Sequence, residues 1–493
     1  MTDPSERVRS GAEGTGEPAS RPSRSRPRAP SARDVACERI AALVRRFPDL
    51  PIGGAAPDAE PWAPPDESPR LDDRDAALAR AIEAAVRRRW LTLEHVLGAS
   101  LTRPLESLDE LVQATLLAGT AQLLCFDRLP AHAIVDEAVT FVRRTVRPAA
   151  AGFVNAVLRA TTRLRDEAER PDAVGCLETG RLDPALLPRE DGSALRLAER
   201  FFGTPGPLAL ARQCSLAPAL VTRWWELHGP EETTRLCLHT IAPPPIIVAT
   251  GPAPDARLRP HARDGFAVWE GPIAELAPFL AEAPGRRVQD PTAAAAIDAI
   301  AGRVAPKVIA DPCAGRGTKT RQLAERFPDA TIVASDPDRG RSASLRAAFA
   351  GARTVETVDS SGIADRVREL GGADLILVDV PCSNSGVLAR RIEARYRFDR
   401  TRLESLVELQ RKIVGDSIPM IAPGGALLYA TCSLEPEENA EQWRWIETLD
   451  GPSGGMRRVD SAILLPEGGP GSDAALHRDG GGWALFAAGT ASW

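Results

Sequence analysis

The sequence predicts an α/β protein in which a helical N-terminal region precedes a doubly wound parallel sheet. Three observations predict it. From residue 289 five short apolar runs, VIAD, TIVAS, TVETV, DLILVD and ALLYAT, alternate with segments of helix length, the pattern of a parallel sheet with crossover helices. Before that, Leu78, Ile82, Ala85 and Val86 fall at i, i+4, i+7 and i+8, one face of a helix. The chemically capable groups, a glycine-bearing turn and two cysteines, each follow a β run, where such a sheet places its ligand-binding edge.

Taken in order, residues 1–32 are Ser, Pro, Arg, Gly and Glu with almost nothing apolar, and are expected to be a disordered arm. Residues 33–165 are expected to be helical, with a Pro-rich gap at 51–70. Ser107 and Glu110 have the spacing of a capping box before LVQATLLAGTAQLLCF. Arg143, Arg144, Arg147, Arg159, Arg163 and Arg165 cluster near the end of this region. Such a cluster is either a solvated helix face or a phosphate-contacting patch, and the pattern alone favours the first. Residues 166–285 are a mixed, Pro-rich connecting region with helical stretches near 194–201 and 217–240. Residues 286–493 hold the sheet.

Length and composition bound the rest. A chain of 493 residues calls for two or three domains, and 43% hydrophobic residues is ordinary for a globular protein. No apolar run is long enough for a bilayer span, and the N-terminus lacks the apolar core of a secretory signal. Eight scattered cysteines read as free thiols of a reducing cytoplasm. Six dispersed histidines pair with no cysteine at metal-ligand spacing, so no metal is expected. The net charge of −6 does not exclude a nucleic-acid partner, because binding needs only a local patch. Lysine occurs only at 307, 319 and 412, which makes Lys319, inside the glycine turn, conspicuous.

That turn runs Asp311-Pro-Cys-Ala-Gly-Arg-Gly-Thr-Lys-Thr320. Gly315 and Gly317 allow backbone N–H groups to approach a ligand at a helix start. Asp336 ends the next β run, where a carboxylate holds ribose hydroxyls, and Asp359 follows the third, on the adenine side. G-x-G-x-x-G is absent; dinucleotide binding stays open, but S-adenosylmethionine (SAM) suits a pocket without that fingerprint. Cys382 follows Asp379-Val-Pro, and Cys432 follows Thr431. A thiolate at either place can add to carbon 6 of a cytosine, making carbon 5 nucleophilic enough to take a methyl group, with Asp379 assisting at N3.

At these residues the chain resembles the RsmB (Fmu)/Sun group of RNA cytosine-C5 methyltransferases. QDPTAAAAID, DVPCSNSGVL, YATCSLEPEENAEQ and HRDGGGWALFAA resemble successive motifs of that group, and LPAHAIVDEAV and AAGFVNAVLRAT resemble the NusB-like RNA-binding domain fused to it. The resemblance covers most of residues 33–493. It implies a Rossmann-like SAM-dependent methyltransferase domain behind an all-α NusB-like domain and a small connecting domain. It makes Cys432 the nucleophile, Cys382 the group that helps release product and Asp379 the contact to the base. Cys313, Ala314, Gly315, Arg316, Gly317, Thr318, Lys319, Asp336, Arg341, Asp359 and Asp379 would hold SAM, with Lys319 also facing the active centre. The implied substrate is a cytosine in 16S ribosomal RNA, met by a cytoplasmic monomer without metal or membrane partner. The same chemistry on another RNA such as tRNA, or a weakened RNA-binding assembly factor, are the alternatives. The chain departs from the group at Arg316, where proline is usual, at Thr318, where glycine is usual, and at Ala389-Arg-Arg-Ile-Glu393, which lacks the usual His-Pro.

Overall fold

The computed structural model describes residues 30–51, 71–170, 175–250, 255–283 and 285–489; the expected arm up to residue 29 and the Pro-rich gap over 52–70 lie outside them. Five helices come first. In α1 (Ala32–Val44) Ser31 and Asp34 exchange side-chain bonds with each other's backbone N–H, a closed capping box. α2 (Asp73–Gly98) is capped by Asp72 and kinks at Arg89. α3 (Glu110–Cys125) is buried on every side from Val112 to Leu124, which places it at the centre of the bundle. α4 (Ala131–Thr145) and α5 (Pro148–Asp166) close around it, with Ile40, Val86, Leu117, Val142 and Leu158 in one core.

The expected capping box at Ser107 and Glu110 does not form. Ser107 lies in a 3-10 turn and donates its hydroxyl to Pro104 O. Asp109 caps α3 instead, accepting from the N–H groups of Leu111 and Val112. A carboxylate one residue before the helix outcompetes a hydroxyl already committed to the preceding turn.

The connecting region begins with α6 (Gly175–Thr179) and a hairpin of β1 (Leu186–Pro188) and β2 (Ala194–Arg196). The helix expected near 194–201 is therefore absent: Leu195, Leu197 and Phe202 are drawn into the core of the helical bundle, and this burial overrides a locally helical composition. α7 (Pro207–Cys214) and α8 (Pro218–His239) follow, the latter broken at Gly229. β3 (Ile247–Ala249), β4 (Leu258–Pro260), β5 (Phe266–Trp269) and β6 (Arg287–Val288) make an antiparallel sheet in the order β4-β5-β3-β6, covered by α9 (Ile273–Ala281).

After α10 (Pro291–Ile300) the expected α/β alternation appears: β7 (Val308–Asp311), α11 (Thr318–Arg326), β8 (Thr331–Ala334), α12 (Arg339–Ala348), β9 (Val355–Thr357), α13 (Ile363–Glu369), β10 (Ala373–Asp379), α14 (Arg400–Ser417) and β11 (Ile421–Thr431). These five strands are mutually parallel in the order β11-β10-β7-β8-β9. Beyond β11, past α15 (Ala440–Ile446), the sheet continues antiparallel through β14 (Gly481–Ala488), β13 (Gly454–Leu464) and β12 (Asp450–Gly451). Leu375 to Val378 of β10 are fully buried, as a central strand covered on both faces requires. Asp379 lies opposite Ala430, so β10 and β11 release their following loops side by side.

Buried arginines join the three regions. Arg88 and Arg89, at the kink of α2, donate to the carbonyls of Ala389, Gln213 and Pro188. Arg395 is fully buried and donates to Cys214 O at 2.6 Å, Thr240 O at 2.6 Å and Ser215 O at 3.3 Å, carbonyls at the C-terminal ends of α7 and α8. Those ends carry partial negative charge, which a guanidinium complements. Burial pushes Arg395 down to about 10, so it stays charged at neutral pH. Arg395→Met should strand these carbonyls and cost about 2–5 kcal/mol. The urea unfolding midpoint should fall accordingly; an unchanged midpoint would show that the helix ends do not need the guanidinium.

Candidate active site

The glycine turn leaves β7 and enters α11. Gly317, the N-cap, has φ of +91°, and a Cβ there would sit 2.5 Å from the Phe349 ring, so glycine is required on both conformational and steric grounds. Gly315 N donates to Asp336 Oδ2 at 3.0 Å, joining the turn to the end of β8. Asp336 is buried, and its Oδ1 accepts from Asp338 N and from Arg341 Nε at 3.0 Å. Cys313, Ala314, Gly315, Asp336 and Arg341 are thus brought together. Arg316 is exposed, and Thr318 opens α11 half-buried. Asp359 is exposed and bonds Arg346 instead of this cluster. Burial pushes the Cys313 thiol up.

The second half of the site stands over β10 and β11. Lys319 Nζ meets Asp379 Oδ2 at 2.8 Å. Burial alone would lower the lysine pKa, but the charge and hydrogen bond of Asp379 outweigh it and the net shift is upward, so Lys319 is a cation at neutral pH. The two sulfurs, Cys382 Sγ and Cys432 Sγ, are 3.0 Å apart and are not joined by a disulfide. The hydrogen bond to Cys432, followed by burial, holds Cys382 as a thiol. Lys319, Cys432, Val387, Gly480 and Trp483 line one narrow cavity. Gly386 packs where a Cβ would lie 2.5 Å from Gly480 O; its N–H donates to Cys432 O, and its carbonyl accepts from Gly480 N at 2.8 Å.

Sequence reasoning missed the groups that hold the thiols. Asn384 adopts φ of +61°; its Oδ1 accepts from Cys432 Sγ at 3.2 Å, and its Nδ2 donates to Cys382 O at 2.9 Å. Glu438 is fully buried beneath the pair. It accepts from Ser383 N and Ser383 Oγ and from Gln410 Nε2, while Tyr429 OH donates to its backbone carbonyl. Burial raises the Glu438 pKa, and its hydrogen bonds oppose that shift. Glu438 stands in the quoted EPEEN string, but nothing local distinguishes it from the half-buried Glu437 beside it.

On the helical bundle a cavity of about 500 Å³ is bordered by Arg103, Leu108, Asp109, Arg147 and Phe153. The arginine cluster is only partly uncommitted to local contacts. Arg144 pairs with Asp34, Arg159 bonds Asn155 and Arg165 bonds Asp166, while Arg143, Arg147 and Arg163 are exposed.

Known proteins share this architecture. The family model described as 16S rRNA methyltransferase RsmB/F matches residues 303–447, and the NusB family model matches residues 57–163. A ribosomal RNA small subunit methyltransferase B from Xanthomonas campestris is 32% identical over 377 residues, covering 75% of this chain and 79% of that protein. The protein of the same name from Vibrio cholerae is 28% identical over 407 residues, covering 82% and 87%. The crystal structure of PH0851 has the same fold, with a TM-score of 0.58, 19% identity and coverage of 84% of this chain and 91% of that one.

Asp311, at the end of β7, is fully buried; Thr320 Oγ1 donates to its Oδ2, and among the described residues its Oδ1 has no hydrogen-bond partner. Burial pushes its pKa from 3.8 up to about 7. Between those values the folded chain keeps a proton that the unfolded chain has released, so Asp311 lowers stability as pH rises through this window. Asp311→Asn cannot ionise. It should be more stable than the native chain by ~2–4 kcal/mol at about pH 8 and lose that advantage near pH 4. Parallel melting-temperature profiles for the two proteins would show that Asp311 does not titrate there.

Proposed function

Because the chain belongs to the RsmB/F family of 16S rRNA methyltransferases, we propose that it transfers a methyl group from SAM to carbon 5 of a cytosine in 16S ribosomal RNA through a covalent Cys432–carbon 6 bond. The observation that carries this reading is the thiol pair, 3.0 Å apart at the exits of adjacent parallel strands. Binding RNA alone gives no reason to hold two thiols in contact beside a lysine–aspartate pair. The helical bundle would take up RNA, with Arg143, Arg147 and Arg163 available to phosphates. Among the described residues no helix is long and apolar enough to cross a membrane, and an enzyme acting on ribosomal RNA would work in the cytoplasm.

The glycine turn fits SAM. Gly315 has φ of +59°, and nothing lies within 4 Å of the place a Cβ would occupy, which leaves an open cradle beside Asp336. The turn from Cys313 to Thr318 would line it. Asp336 would accept from the ribose hydroxyls through Oδ2, which accepts from Gly315 N and has a second lone pair to offer. Arg341 would fix the carboxylate, and Asp359 would face the adenine side. When bound there, SAM supplies an electrophilic methyl group.

The chain's own residues prepare the base. Cys432 attacks once its proton, directed at Asn384 Oδ1, has left to solvent, and the Cys382 thiol then donates to the thiolate so formed. Sulfur forms a bond to carbon 6; the C5=C6 electron pair shifts to C4–C5, the C4=N3 pair moves onto N3, and N3 takes up a proton. That proton passes from the Lys319 ammonium through the Asp379 carboxylate bonded to it, leaving Lys319 neutral until N3 gives the proton back. Carbon 5 is now electron-rich. After methylation its remaining proton must leave, re-forming C5=C6 and expelling Cys432 as a thiolate. Once Cys432 is bonded to carbon, the first cause that keeps Cys382 protonated has gone. Cys382 then gives its thiol proton up to solvent as it takes the carbon-5 proton, and N3 returns its proton through Asp379 to Lys319.

The test is a denaturing gel with SAM and labelled 16S RNA fragments. Cys432→Ala should lose both methylation and the protein–RNA adduct. Cys382→Ala should accumulate a denaturation-resistant adduct that the double variant lacks. An adduct in Cys432→Ala but not in Cys382→Ala reverses the assignment, and no adduct in any variant, with native methylation intact, overturns the covalent mechanism.

A further inference from the structure

Three buried groups face one another outside the thiol site. His239, the last residue of α8, is 2% exposed, and His477 and Asp479, just before β14, are 3% exposed. Among the described residues, His239 Nε2, His477 Nε2 and Asp479 Oδ1 have no hydrogen-bond partner. The carboxylate oxygen lies 4.0 Å from the first nitrogen and 3.7 Å from the second, and all three atoms fall within 4.8 Å of one another. Buried polar atoms left unbonded each cost about 1–3 kcal/mol, so three that converge on one point call for a common partner.

The surrounding bonds say what that partner is. His239 Nδ1 lies 3.1 Å from Gly468 O. A carbonyl only accepts, so the ring proton sits on Nδ1, and Nε2 presents a bare lone pair to the cluster. Asp479 Oδ1 also presents lone pairs, while its Oδ2 accepts from Arg390 Nε at 2.6 Å and its backbone N–H donates to Asp290 Oδ2. Two acceptors and a second imidazole converge on one buried point, and each of the two acceptors is held from behind by a bond that fixes its direction. We propose that His239, His477 and Asp479 form a binding site for one divalent transition-metal ion of the nitrogen- and oxygen-preferring kind, such as Zn²⁺. Ligand atoms about 2.1 Å from a tetrahedral ion stand roughly 3.4 Å apart, so binding draws these three groups inward.

The location gives the ion a purpose. It ties the end of α8, in the connecting region, to the segment that continues into Gly480, Gly481 and Gly482, which border the cavity under Cys432. Gly480 N in turn holds Gly386 O of the thiol loop. The expectation of no metal rested on local spacing, and these ligands come from segments far apart in the chain.

The test uses the full chain without a histidine tag, stripped by chelator, and titrated with Co²⁺ and then with Zn²⁺ against a chromophoric chelator. One ion should bind per chain, with the d–d absorption of nitrogen- and oxygen-ligated Co²⁺ and no thiolate charge-transfer band. His239→Gln and His477→Gln should each weaken binding at least 30-fold, and the Cys382→Ser/Cys432→Ser variant should bind as the native chain does. Zn²⁺ should raise the melting temperature of the native chain and not that of the histidine variants. If a variant fails to fold, the stoichiometry and spectrum of the native chain still decide. No stoichiometric ion on the native protein would mean that water or a direct hydrogen bond closes the cluster, and would overturn the proposal. Binding that is lost with the cysteines, or kept in both histidine variants, would overturn it equally.

Discussion

The guanidinium of Arg395, locked onto the carbonyl ends of two helices, is the contact on which the site's geometry depends. It lies at the end of the segment that begins with Cys382, and that segment is pinned at every stage. Cys382 touches Cys432, Gly386 lies between Cys432 and Gly480, Arg390 bridges Asp290 and Asp479, Arg395 seals α7 and α8, and Tyr396 donates to Arg87 O. The helical bundle, the connecting region and the large sheet therefore meet along one stretch of chain. A guanidinium suits this task because its planar fork of donors can serve several carbonyls at once, which the single ammonium of a lysine cannot do in the same geometry.

The sheet and the polar network divide the remaining work. Register alone brings the exits of β10 and β11 together, since Asp379 lies opposite Ala430 and both cysteines follow shortly after. Register does not orient sulfur atoms. That falls to Glu438, Gln410, Ser383 and Ser433, a buried set whose members are bonded to one another. Because the set is satisfied internally, it is rigid, and a buried carboxyl is tolerated beneath two thiols. Asn384 holds a left-handed backbone conformation to reach both cysteines, a strain the surrounding network sustains.

What was legible in the sequence is what short-range chemistry dictates. Five apolar runs became five parallel strands because their periodicity and spacing leave few other solutions, and the groups just past their ends had to face one edge. What was not legible depended on partners distant in the chain. Ser107 looked like a cap until Asp109 and Pro104 claimed the available bonds. Residues 194–201 looked helical until Leu195 and Leu197 found a core to enter. No local pattern marks Arg87, Arg88 and Arg89, which are among the most deeply buried charges of the described residues. His239 and His477 stack at 4.7 Å across a fold boundary that no local pattern reveals.

The departures from the family pattern become intelligible on the same terms. The residues of the cofactor turn with positive φ are Gly315 and Gly317. Thr318 follows them in the first position of α11, with ordinary helical geometry, so replacing a glycine there does not disturb the turn's shape. Arg316 points outward, away from the packed side of the turn. The segment that lacks His-Pro is held instead by what flanks it: Ala389 O accepts from Arg88, and Arg390 is clamped by two carboxylates. A proline restricts a loop by removing backbone freedom before folding, whereas these arginines restrict it by bonds made afterwards. The first device works locally, the second only when the helical bundle and connecting region are in place. In this chain the shape of the thiol loop is therefore tied to the integrity of all three regions.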